Sequence, residues 1–255
     1  MCELFGFCSE KSYDLTNLLK EFYSHSSHHP HGWGLAAFLG KSVSVEKEPI
    51  CANDSNYLRM RLSAPITAHL LLAHIRKASV GALEYLNCHP FVKEDAGGRC
   101  WTLIHNGTIF QSEILEKYTQ IQQGSTDSER ILLYIVENID RLEAQLGRKA
   151  TEKERFGNVE SSIAEIAPGN KVNLIIYDGE LLYAHMNMVS SLHYLKLPDA
   201  IAISTTPLSD EPWCEMPPST VIAFREGKEV FRGRDMHHVY VDPKPDDTEW
   251  ISYSI

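Results

Sequence analysis

Apolar positions along the chain fall into short bounded runs, broken once by a long helical stretch. Gly32 to Leu39, His69 to Ile75 and Arg99 to His105 are apolar-rich runs edged by Gly, Pro or polar clusters, a pattern that predicts strands. Leu174 to Tyr177, then Asp178-Gly179, then Leu181 to His185 predicts a hairpin. Ala200 to Ser204, Val221 to Phe224 and Glu229 to Phe231 predict further strands, with a second hairpin turn across Phe224-Arg225-Glu226-Gly227-Lys228. Between these blocks, Ile131, Leu132, Ile135, Ile139, Leu142 and Leu146 recur at helical spacing and predict a helix over 128–146. Thr126-Asp127-Ser128-Glu129 ahead of it has the form of a capping box. Weaker helical patterns run from Tyr13 to Tyr23, from Gln111 to Gln120, and from Lys153 to a stop at Pro168-Gly169. Strands in hairpins with helices in separate blocks predict an α+β fold of layered sheets. With no repeat and no linker, residues 1–255 read as one domain. Its last stretch, 232–255, is richer in charge and proline and reads as an extension strapped over the surface.

Composition narrows the classes. The chain has 255 residues, is 43% hydrophobic and carries a formal charge of −10. A chain of this length buries enough surface to fold without disulfide staples. No uncharged apolar run reaches the roughly 18 residues of a membrane span, and the N-terminus lacks the basic region of a secretory signal. Acidic balance argues against a nucleic-acid partner, because phosphate binding needs excess Lys and Arg. The six cysteines are scattered without a C-x-x-C pair, so a reduced, cytoplasmic protein is expected.

Cys2 stands apart. Removal of Met1 would place a thiol and a free α-amine on one residue. That amine has an ordinary pKa near ~7.7–8.0, so part of it is neutral at pH 7 and can serve as the base for its own side chain. Further along come His31-Gly32-Trp33-Gly34, Arg76-Lys77-Ala78-Ser79, Asn87-Cys88-His89-Pro90, His105-Asn106-Gly107 and Thr126-Asp127-Ser128-Glu129. The two glycines around Trp33 permit close approach of another backbone. Each element alone has an ordinary structural explanation: Asn106-Gly107 also reads as a type I′ turn, Arg76 as an ion-pair partner, Asp127 as a helix cap.

In this order after an N-terminal Cys2, the set resembles the class II glutamine amidotransferases, N-terminal-nucleophile hydrolases, and is closest to their small stand-alone members. The resemblance implies a four-layer αββα sandwich with mainly antiparallel sheets. It implies that Cys2 opens an inner strand facing Asn106, and attacks the γ-amide carbon of glutamine to form a γ-glutamyl thioester, releasing ammonia and then glutamate. The Asn106 side chain and the Gly107 N–H would form the oxyanion hole. Arg76 would hold the α-carboxylate through its rigid fork of donors, and Asp127 the α-ammonium. His105, His89, Trp33 and Gly34 would line or support the substrate site. No cofactor is implied.

Several alternatives stay open at this point. The substrate could be another γ-glutamyl compound. The chain could be a subunit silent until it meets a synthetase that accepts its ammonia, or could pair with itself as a homodimer. Metal binding by His25, His28, His29 and His31 is disfavoured, because adjacent histidines rarely face one ligand site and zinc spacing is absent. A Cys–His hydrolase using Cys88 or Cys100 would survive loss of Cys2.

Overall fold

The computed structural model describes residues 2–40 and 42–242. Alternation in the first strand sets the architecture. In β1 (Glu3–Asp14), Leu4 and Cys8 join one buried cluster while Phe5 and Phe7 join another. A strand buried on both faces must lie between two layers. It occupies the interior of a seven-stranded sheet ordered β11-β9-β10-β1-β4-β2-β3. The other members are β2 (Trp33–Leu39), β3 (Ser42–Glu48), β4 (Thr67–Ile75), β9 (His193–Lys196), β10 (Ala200–Ser204) and β11 (Cys214–Glu215). A second sheet is ordered β13-β12-β8-β7-β6-β5. It is built from β5 (Phe91–Glu94), β6 (Cys100–Thr108), β7 (Lys171–Tyr177), β8 (Leu182–His185), β12 (Ile222–Arg225) and β13 (Lys228–Arg232). The paired strands in both sheets run antiparallel.

The sheets face each other across Leu4, Leu70, Leu72, Ile104, Ile175, Ile201, Ile203 and Ile222. Gly6 lets them close: a Cβ there would press on Ile175 from the opposite sheet. The outer face of the first sheet is covered by α1 (Thr16–Ser24) and α2 (Asn56–Arg61), through Leu19, Phe22 and Leu58. The outer face of the second carries α3 (Glu113–Glu116), α4 (Asp127–Leu146) and α5 (Glu152–Ile166), through Leu115, Ile131, Ile135, Ile139, Val159 and Ile163. Helices, two antiparallel sheets and helices stack as the expected αββα sandwich.

The strand and helix expectations hold with three physical corrections. Asn106-Gly107 is not a turn: β6 continues through it, pairing Asn106 with Asn173 and Gly107 with Val172. The helical pattern from Tyr13 begins only at Thr16, because Tyr13 and Asp14 still pair with Ala68 and Thr67 in the sheet. The capping box of α4 is half formed. Thr126 Oγ1 accepts the Glu129 N–H at 3.3 Å, but the Glu129 carboxylate turns to the N–H groups of Gln123 and Gly124. The full box appears instead at α5, between Thr151 and Glu154. Of the stretch 232–255, residues 232–242 are described, with Arg232 closing β13; residues 243–255 lie outside the described set.

Candidate active site

Strand register places Cys2. Glu3 pairs with Ile75, which sets Cys2, one residue before β1, beside Arg76 and Lys77 at the end of β4. The Lys77 N–H donates to the Cys2 Sγ at 3.3 Å, and the thiol lies 3.6 Å from the Lys77 carbonyl. Burial pushes the Cys2 thiol pKa up; the Lys77 N–H and the Arg76 charge oppose this, and the Asp127 charge reinforces it. A neutral thiol at neutral pH therefore needs a base when it attacks.

Cys2, Asn106 and Gly107 line one cavity of about 340 Å³, together with Lys77, Ala78, Ser79, Thr108, Phe110, Lys171 and Asp242. The Asn106 amide is the telling group. Both its side-chain polar atoms are buried and have no hydrogen-bond partner among the described residues. An orphaned buried amide forfeits about 1–3 kcal/mol, a cost a fold tolerates where a ligand completes the bonding. Its backbone is held firmly, with the Asn106 carbonyl accepting from Asn173 Nδ2 at 2.7 Å. Asn173 Oδ1 in turn accepts from Ser191 Oγ at 3.0 Å. At Gly107, a Cβ would overlap the Lys171 carbonyl, so only glycine fits beside the cavity.

The loop after β4 forms the roof. The Arg76 guanidinium donates to the carbonyls of Val80 (2.9 Å), Gly81 (3.3 Å) and Ala82 (3.0 Å). His31 Nδ1 accepts the Ala78 N–H at 2.9 Å, and Ser79 Oγ meets Thr108 Oγ1 at 3.2 Å, bridging the roof to β6. Arg76 and Asp127 are both buried, and neither lines the cavity wall. Asp127 Oδ2 accepts the Ile109 N–H at 2.7 Å, leaving the cap of α4 to Thr126.

The cavity wall includes none of Trp33, Gly34, His89 and His105, as it includes neither Arg76 nor Asp127. Strand alternation explains this for His105: adjacent to Asn106, its ring points to the helical layer, onto Ser128 Oγ (2.9 Å) and the Lys171 carbonyl (3.2 Å). His89 Nδ1 accepts the His105 N–H at 3.1 Å, and its ring stacks on His74 at 4.0 Å. His74 Nε2 donates to the His105 carbonyl at 3.3 Å. Burial lowers the pKa of all three: His74 to about 3, His89 well below the usual value, and His105 downward. These neutral rings hold β6 from behind. Trp33 sits in the outer core, donating Nε1–H to Glu48 at 3.0 Å. Gly34 serves as its spacing suggested: a Cβ would overlap the His89 carbonyl.

Sequence reasoning missed Phe110, Thr108, Lys171 and Asp242 as lining residues. Asn173 did carry a signal, a polar residue just ahead of an apolar strand run. Asp242 carried none, since only the path of the C-terminal strap brings it here. His25 and His29 do converge, but on a carboxylate. His25 Nδ1 lies 2.9 Å from Glu3 Oε2, and His29 Nε2 lies 3.9 Å from Glu3 Oε1. Among the described residues no group of three or more His, Cys, Asp or Glu is arranged to hold a metal. No helix among them is long and apolar enough to cross a membrane.

Comparison with known proteins identifies the family. Residues 1–200 match the family model of class-II glutamine amidotransferases. The chain is 29% identical, over 92% of its length and 72% of the relative's, to an uncharacterised protein of Methanocaldococcus jannaschii. It is 28% identical to the Escherichia coli protein named "Putative glutamine amidotransferase YafJ", over 76% of each chain. Among solved structures, the glutamine phosphoribosylpyrophosphate amidotransferase of B. subtilis superposes with a TM-score of 0.68 at 15% identity, covering 93% of this chain and 50% of that one. The sandwich is the N-terminal-nucleophile hydrolase fold, and the chain belongs to the class II glutamine amidotransferases.

Proposed function

We propose that this protein cleaves the γ-amide of glutamine through a γ-glutamyl thioester on Cys2, once Met1 has been removed. The observation that carries this reading is the buried, unpartnered Asn106 amide sharing a cavity with the Cys2 thiol. The α-amine of Cys2 takes the thiol proton, directly or through a water, and the sulfur attacks the amide carbon. The developing oxyanion receives hydrogen bonds from the Asn106 side chain and the Gly107 N–H. A preorganised donor of this kind is worth about 2.7–4 kcal/mol of barrier. The amine then protonates the departing ammonia, and water attacks the thioester to release glutamate.

Arg76 and Asp127 recognise the substrate's α-carboxylate and α-ammonium. Glutamine within a peptide lacks both charges and would leave this pair uncompensated, which supplies specificity for a free amino acid or γ-glutamyl group. In the present structure the Arg76 donors are engaged by the roof carbonyls of Val80, Gly81 and Ala82. A substrate carboxylate replaces those carbonyls, so binding rearranges the roof. That feature favours a second reading, in which the glutaminase is quiet until a synthetase partner resets the loop.

The test is ammonia and glutamate release from L-glutamine by protein whose intact mass confirms loss of Met1, with Cys2→Ala alongside. Turnover lost in Cys2→Ala supports the proposal. Turnover retained in that variant refutes it, and an inactive, folded, processed protein points to the second reading or to a different γ-glutamyl substrate.

A further inference from the structure

Two stretches that the proposed mechanism leaves idle meet on one carboxylate. The histidines after α1 and the Thr205-Thr206 segment after β10 both reach Glu3, the residue that follows Cys2. By strand alternation Glu3 shares the helix-facing side of β1 with Phe5. Glu3 Oε2 is taken: His25 Nδ1 lies at 2.9 Å, and Thr206 Oγ1 donates at 3.2 Å. Thr205 holds the strand itself, accepting the Leu4 N–H on Oγ1 (2.9 Å) and donating its own N–H to the Leu4 carbonyl (3.0 Å). Glu3 Oε1 has no hydrogen bond among the described residues and faces His29 Nε2 at 3.9 Å.

The other ring nitrogen fixes the tautomer of His29. Nδ1 lies 3.0 Å from the His25 carbonyl, which can only accept. Nδ1 therefore carries the proton, and a neutral ring leaves a lone pair on Nε2. Burial lowers the His29 pKa; the His25 carbonyl and the Glu3 charge oppose this, and the N-terminal charge and Lys77 add to it. Two nearly buried acceptors thus face each other with no donor between them among the described residues. A group with two N–H bonds would complete them, as buried acceptors require.

The chain supplies such a group. Loss of Met1, a step this inference shares with the γ-glutamyl reading on which it rests, leaves an α-amine one residue before Glu3. A neutral amine has two N–H donors and one lone pair. We infer that Glu3 and His29 seat the Cys2 α-amine: Glu3 Oε1 and His29 Nε2 accept its two N–H bonds, which leaves the lone pair for the thiol proton. Both are positioning residues, acting on the base and not on the substrate. His25 and Thr206 hold Glu3 in place. The charged and titratable groups facing the seat are Glu3, Glu21, His25, His29 and Lys77, with Arg76 and Asp127 acting from the side of the thiol. The Glu3 carboxylate favours the protonated amine, so its removal lowers the amine's pKa.

The experiment follows the amine directly. Processed protein carrying isotope-labelled cysteine is titrated by NMR, with the Cys2 Cα resonance assigned by its loss in Cys2→Ala. Wild type, Glu3→Gln, His29→Leu and Glu21→Gln are compared, beside the pH profiles of kcat and KM for L-glutamine. Glu3→Gln should lower the amine pKa by about one unit, the effect of one opposite charge at close range. The rise of kcat/KM should move to lower pH by the same amount. Plateau kcat should fall about ten-fold, because the lone pair is no longer aimed, with KM within about two-fold of wild type. His29→Leu should lower kcat by a similar factor with a smaller pKa shift, and it carries the test if Glu3→Gln does not fold. Glu21→Gln, whose carboxylate meets only His25 among described groups, should change neither. Processed wild type that hydrolyses no glutamine, yet whose amine pKa falls in Glu3→Gln, would sink the glutaminase reading and sustain the seat. An amine pKa unchanged in Glu3→Gln, or a kcat unchanged in His29→Leu, would overturn the inference.

Discussion

The Lys77 N–H donates to the Cys2 sulfur at 3.3 Å, tying this thiol to the second residue beyond β4. This bond and the Arg76 charge favour a thiolate, but burial outweighs them and keeps the thiol pKa above its ordinary value. In the proposed mechanism the proton leaves during attack, with the neutral α-amine as the base. On this account kcat/KM for glutamine rises with pH through the amine's titration near ~8 and falls away below it, because protonation removes the base. A profile flat between pH 6 and pH 9 would rule the amine out.

Asn106→Ala separates chemistry from folding. The amide it removes makes no hydrogen bond among the described residues, so the variant should be no less stable than wild type and should recover part of the roughly 1–3 kcal/mol that the orphaned amide forfeits. Losing an oxyanion donor should lower kcat about 10²–10³-fold. Steady-state kinetics with a urea titration of each protein checks both halves. Equal activity in variant and wild type would remove Asn106 from the mechanism.

Gly34→Ala should act in the opposite sense, on the scaffold first. A Cβ there would overlap the His89 carbonyl and crowd Pro90, an overpacking cost of roughly 1–3 kcal/mol. Because His89 holds the His105 N–H, the strain passes to β6 directly under Asn106. The variant should lose both urea midpoint and activity, whereas a substitution at exposed Leu39 on the same strand should lose neither.

Acid should weaken the fold before the carboxylates titrate. His74, held at about 3, and His185, held at about 4, are buried and neutral when folded, chiefly through desolvation. Their unfolded forms take up protons near pH 6.5. The unfolded state thus binds more protons, so the contribution is intact above pH 6.5 and is lost as pH falls toward those folded values. Each histidine adds up to about 1.4 kcal/mol per pH unit in that window. His185→Gln should flatten part of the dependence, since His185 lies outside the Cys2 cavity and bonds only the Val172 carbonyl among described partners. Stability unchanged between pH 7 and pH 5 would contradict this.

Much of this protein is legible in its sequence because period-two burial and turn chemistry are local. The Asp178-Gly179 turn and the Glu226-Gly227 turn, both residues at positive φ in the latter, form where glycine and polar residues interrupt apolar runs. Local chemistry failed at Asn106-Gly107, where a turn-like dipeptide stays in a central strand because Asn173 and Val172 pair with it from 67 and 65 residues away. Ordered motifs carried Cys2, Asn106 and Gly107 to one cavity. The same motifs left open whether His89 and His105 line the cavity or pack behind it, because a spacing does not say which face of a strand a ring takes. Asp242 shows the outer limit: it reaches the site along a path set by Ser219, Asn187 and Phe110, none of them near it in sequence.

The central claim is covalent, and acid quenching tests it most directly. Processed protein mixed with L-glutamine, quenched within its first turnover and digested, should yield the peptide beginning at Cys2 with one γ-glutamyl group attached. The Asn106→Ala protein should accumulate that adduct far more slowly, and Cys2→Ala not at all. A γ-glutamyl adduct on Cys88 or Cys100, or glutamine hydrolysis by Cys2→Ala at the wild-type rate, would contradict the account.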